Sequence, residues 1–206
     1  MRTRSKLALA GLAAALLLSM AVANGSARNL SVDEQGFRVT WTNLEFAEPG
    51  LNIHIRCPVT LEGSFHTRTI AKVLRSLIGF ITRAIVKNES CTGGHATVLR
   101  ETLPWHVTYE GFGGVLPSIT SIRVLLVRPS FRVEPGFLGI NCLSQPENIR
   151  GTITGSREAG GAFKPERLAP DAGQSFPCGS AFEGEFIGTG TVTRLTSTTR
   201  ILVTLI

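Results

Sequence analysis

The sequence predicts a mainly β protein, an antiparallel sandwich or barrel carrying one short amphipathic helix. Three observations lead there. Apolar and polar residues alternate with period two over several stretches, the pattern of a strand with one buried face. Glycine pairs and Pro-Gly steps break these stretches at Gly93-Gly94, Gly113-Gly114, Pro135-Gly136 and Gly160-Gly161. The 206 residues are 43% hydrophobic and 17% charged, a balance that supplies a core and excludes a disordered chain. Glycine shows no three-residue period, and no apolar heptad is sustained, so collagen and coiled coil are excluded as well.

Residues 1–27 read as a secretory leader. Arg2, Arg4 and Lys6 precede an apolar run from Leu7 to Val22, and Ala21-Val22-Ala23 offers the small residues a signal peptidase requires. The run is shorter than the roughly 20 residues of a spanning helix and ends in Asn24-Gly25-Ser26. Export is therefore expected, to the outside of the cell or to its envelope, with 28–206 as a single domain and no membrane span after processing. Loss of the three leader cations would halve the formal charge of +6. The remaining excess is spread along the chain, which argues against nucleic acid as a partner.

Strands are expected in order. Phe37, Val39 and Trp41 alternate with Arg38, Thr40 and Thr42. Leu51, Ile53, Ile55, Cys57, Val59, Leu61 and Phe65 share one parity, and Asn52, His54, Arg56, Thr60, Glu62, Ser64 and His66 the other. Pro58 lies within this alternation and so calls for an edge or a bulge. The helix is expected from Ile70, Val73, Leu74, Leu77, Ile78 and Ile81, which follow i, i+3, i+4, i+7 spacing. It would plug or cover an open end of a sheet; the alternative, a membrane-surface or partner helix, is less favoured because only Lys72, Arg75 and Arg83 are basic there. Thr82 to Val86 is a further strand. Trp105 to Glu110, Ile122 to Val127, Phe131 to Glu134, Ile149 to Thr154, Phe182 to Val192 and Arg200 to Ile206 complete the set. Glu158 to Gln174, rich in Gly, Ala and Pro, reads as a long surface loop.

Cys57, Cys91, Cys142 and Cys178 form an even set, which in an exported chain reads as two disulfides. Of the three possible pairings, Cys57–Cys91 and Cys142–Cys178, separated by 34 and 36 residues, are favoured. Zinc is disfavoured, since no CxxC pair occurs.

Val59 to His66, Leu103 to Tyr109 and Leu116 to Ile122 resemble segments of an uncharacterised group of exported proteins from high-GC Gram-positive bacteria. That resemblance implies export and carries no activity, ligand or catalytic residue.

Local chemistry is sparse. His54, His66, His95 and His106 form no metal spacing, and no GxSxG elbow or acidic calcium loop is present. No cofactor is expected. Glu183 and Glu185 share one face of a strand and could serve a hydrolase with a histidine. Gly184, Gly188 and Gly190 lie on the other face, where they could bend a barrel wall or leave room for a ligand. Two readings follow. The favoured one is a secreted, non-catalytic module that binds a small apolar ligand, a cell-wall component or another protein. The other is an extracellular hydrolase whose site is assembled across strands.

Overall fold

The computed structural model describes residues 29–115, 118–136, 139, 141–143, 148–154, 160–163, 167–168 and 184–206. The expected leader, Cys178 and Glu183 lie outside them. The described strands are β1 (Asn29–Val32), β2 (Gly36–Glu48), β3 (Ile53–Phe65), β4 (Thr69–Ala71), β5 (Leu77–Val86), β6 (Gly94–Val98), β7 (Trp105–Val115) and β8 (Ser118–Val127). They continue with β9 (Phe131–Pro135), β10 (Cys142–Leu143), β11 (Ile149–Thr154), β12 (Gly160–Phe163), β13 (Arg167–Leu168), β14 (Gly184–Arg194) and β15 (Val203–Leu205). Short 3₁₀ turns occupy Pro49–Leu51, Asn88–Ser90 and Arg100–Thr102.

One nine-stranded antiparallel sheet carries the fold among the described residues, in the order β12-β11-β8-β7-β5-β3-β2-β14-β13. Seven of its strands, from β11 round to β14, curl into a half-barrel. The short β12 spans the gap. It pairs β11 through Gly151↔Phe163 and β14 through Gly161↔Gly190. Its pairing with both strands covers backbone on β11 and β14 that an open sheet would leave unpaired. Two three-stranded sheets, β15-β1-β4 and β10-β9-β6, complete the described structure.

The alternation in β3 fixes which way the sheet faces. Ile53, Ile55, Cys57, Val59, Leu61 and Phe65 are all buried, while His54, Arg56 and their neighbours of opposite parity turn outward. On β2, Phe37, Trp41, Leu44 and Phe46 are buried, although Trp41 and Leu44 differ in parity. A bulge between them accounts for this: Trp41 pairs Val59, and Leu44 pairs Cys57. The extra residue resets the phase, so both halves of a long strand present apolar side chains to one core. Pro58 lies opposite this bulge, between those two pairs, where its missing N–H breaks no regular ladder.

Residues 70–81 correct the expected helix. The stretch is strand, turn and strand. Ile70 is buried in β4, Ile78 and Ile81 are buried in β5, and Val73 and Leu74 stand exposed on the turn between. The helical stripe was a coincidence of spacing. Ile70, Ile78 and Ile81 are β-branched and suit strands, and β5 supplies backbone partners to both β3 and β7. Arg75, with φ of +62°, reverses the chain. The loop expected over 158–174 is corrected in part, since β12 and β13 fall within it.

Cys57 and Cys91 are joined, across 34 residues of sequence. The bond ties the 3₁₀ turn after β5 to the middle of β3. A loop of that length stabilises the fold by about 4 kcal/mol on the chain-entropy view. Cys142, buried on β10, is also disulfide-bonded.

Candidate functional site

The described half-barrel interior is lined mainly by apolar side chains, with Glu48 buried at the end of β2 as a charged exception, and its lower part is filled. Phe46, Trp105, Phe131 and Phe186 form an aromatic cluster there. Phe131 has ring centroids 5.0 Å from Phe186, 5.4 Å from Trp105 and 5.6 Å from Phe46. Phe131 comes from β9, so the sheet of β6, β9 and β10 closes this end. Offset and edge-on contacts of this kind add to the burial of each ring.

Above the cluster the filling stops. A cavity of about 70 Å³ lies between β2, β3, β5, β7, β8, β11 and β14. Phe37, Val39 and Trp41 form one wall, and Val124, Leu126 and Ile153 face them from the far side. Phe65, Ile78 and Val107 complete the circuit. Thr152 contributes the one hydroxyl among the lining residues. A second void of about 10 Å³ sits lower, between Leu44, Val59, Phe131 and Phe186. Leu61 and Leu126 border both spaces and form the floor of the larger one.

Gly188 and Gly190 shape the wall, but the room they leave is occupied. A Cβ on Gly190 would lie 2.7 Å from the Trp41 indole, and one on Gly188 would lie 3.0 Å from the Leu44 side chain. The glycines thus seat Trp41 rather than a ligand. The ladder between β2 and β14 shifts at this place, between Ile187 and Thr191.

The polar candidates are outside the cavity. Glu185 is half-buried on β14, level with Ala47 and Arg167 in the ladder. His95 is exposed on β6, opposite Glu134. His66 and His106 flank Phe80 on the outer face, with centroids 6.0 Å and 5.2 Å from its ring. His54 Nδ1 lies 2.6 Å from Glu45 Oε1, while Arg56 Nε donates to Glu45 Oε2 at 2.8 Å. Burial works to raise the Glu45 carboxyl pKa, but the hydrogen bonds and charges of His54 and Arg56 outweigh it and hold the group below its ordinary value. Sequence reasoning missed Glu45, because the first strand was read only as far as Thr42 and the bulge beyond it hides the alternation.

Among the described residues, no group of three or more His, Cys, Asp or Glu side chains could hold a metal ion. No described helix is long and apolar enough to cross a membrane. What the interior can do chemically is exclude water and pack against hydrocarbon. Comparison of the chain with protein-family models, with curated proteins and with solved structures gives no match.

Proposed function

We propose that this chain is an exported, non-catalytic binding module that takes a slender apolar group, such as the end of an acyl chain, into the half-barrel. The cavity between Trp41 and Val124 carries this reading. Apolar cavities of about 150 Å³ admit benzene, and drug-sized ligands occupy roughly 300–1,000 Å³. A space of about 70 Å³ suits a narrow chain end better than a bulky ring system. The leader-like segment, the resemblance to exported proteins and the Cys57–Cys91 bond support an oxidising, extracellular setting.

The hydrolase reading finds its best support in the Glu45–His54 contact at 2.6 Å. A carboxylate that orients an imidazole is one part of a catalytic array. That pair lies on the outward face, however, and borders none of the cavities described above, so binding remains the conclusion.

Titration with a naturally fluorescent polyene fatty acid tests it, read as energy transfer from tryptophan. The wild-type protein should show saturable transfer. Val124→Phe, which fills the cavity, should weaken binding roughly tenfold or more while the fold is kept. Absence of transfer, or equal binding by both proteins, would contradict the reading.

A further inference from the structure

The end of the half-barrel nearest the cavity carries a second feature. Phe65 pairs Gly79 and Gly79 pairs Val107, so the β4–β5 turn and the later residues of β7 lie at the same end. They also touch. The Arg75 N–H donates to the Tyr109 carbonyl at 2.6 Å, and the Tyr109 N–H donates to Ser76 at 2.9 Å. Lys72 Nζ lies 5.4 Å from the centroid of the Phe112 ring, within cation–π range.

This tip is apolar and cationic together. Val73 is 62% exposed, Leu74 66% and Val115 82%. Single exposed apolar residues are ordinary, but here Val73 and Leu74 stand side by side on the turn and Val115 ends the neighbouring strand β7. Arg68, Arg75 and Arg123 are exposed around them, and Lys72 is half-buried. The nearest carboxylate on β7, Glu110, is engaged by Arg150 at 3.2 Å. Arg75 occupies a left-handed conformation that favours glycine, and it places a guanidinium at the apex of the turn.

We propose that this tip docks the protein on an anionic lipid bilayer. Val73, Leu74 and Val115 enter the interfacial region, and Lys72, Arg75 and Arg123 meet the headgroups. Apolar insertion combined with basic residues is the means by which peripheral proteins hold an anionic surface. The arrangement is independent of what the cavity binds.

Vesicle co-sedimentation tests the proposal, with all proteins carrying the same N-terminus. Vesicles of mixed phosphatidylcholine and phosphatidylglycerol should retain the wild type, and pure phosphatidylcholine should retain it roughly tenfold less well. The Val73→Asp/Leu74→Asp variant should lose retention on both. Lys72→Glu/Arg75→Glu should lose the preference for the anionic vesicles. The side chains substituted in these two variants lie on the turn, so their circular dichroism spectra should be unchanged, and Val124→Phe, altered only in the cavity wall, should bind vesicles as the wild type does. Failure of the wild type to bind, or equal binding by all variants, would overturn the proposal. So would a solution dimer that the Val73→Asp/Leu74→Asp variant dissociates in the absence of vesicle binding, because it would assign the tip to a second copy.

Discussion

Trp41 shows how closely single residues set the shape of the interior. Its indole is almost fully buried, and it fits against β14 because positions 188 and 190 lack side chains. The glycine spacing is visible in the sequence and suggests a thinned wall. It does not reveal which side chain takes the space, because Trp41 is about 150 residues away in the chain and meets β14 only through the β2 ladder. A Cβ at position 190 would approach the indole to 2.7 Å and the Thr40 carbonyl to 2.9 Å. Backbone cannot yield as a flexible side chain can. Gly190→Ala should therefore destabilise the protein by about 1–3 kcal/mol, measured by urea unfolding, whereas an unchanged midpoint would show that the wall has slack.

At the scale of elements, β3 was the most legible. Thirteen residues alternate with little interruption, and the odd positions are the ones buried. β2 was legible only to Trp41, because the bulge shifts its phase. Residues 70–81 satisfied a helical template while belonging to two strands, since a twelve-residue stretch with eight apolar residues can match either period by chance. β12 left no signal: Gly-Gly-Ala-Phe has no alternation, and its place is defined by the two strands that pair with it. The outer face of β2, β3 and β5 carries a row that register alone creates. Glu62 is paired with Arg38 on one side and Arg83 on the other, at 2.8 Å and 3.1 Å. Burial acts to raise its pKa, but the hydrogen bonds and charges of the two arginines hold it below the ordinary carboxyl value. A depressed folded-state pKa contributes stability above the unfolded value, near 4.3, that is lost as pH falls through the folded value. The row is partly exposed and screened by solvent, so its worth is at most about 1 kcal/mol. Unfolding midpoints should fall as the solution is acidified below about pH 4, and Glu62→Gln should make that fall shallower. An identical pH dependence in the variant would remove the row from the stability of the fold.

At the scale of the whole, the described residues form a curled sheet with an aromatic cluster closing one end, the exposed β4–β5 turn at the other and an apolar space between. The class of fold was readable because alternation is local. The cavity was not, because it exists only once the registers of seven strands are set and side chains from each meet in the middle. The same cause hid the Glu45–His54 contact, which joins two strands across a turn. An apolar cavity too sparsely polar to order water is free to accept a noble gas or a hydrocarbon. Diffraction from crystals held under xenon is the most direct measurement of that space. A single strong xenon site between Trp41, Val124 and Ile153, abolished by Val124→Phe, is the expected result. An interior without xenon, or one filled by ordered water, would show that the half-barrel does not enclose a site for apolar ligands.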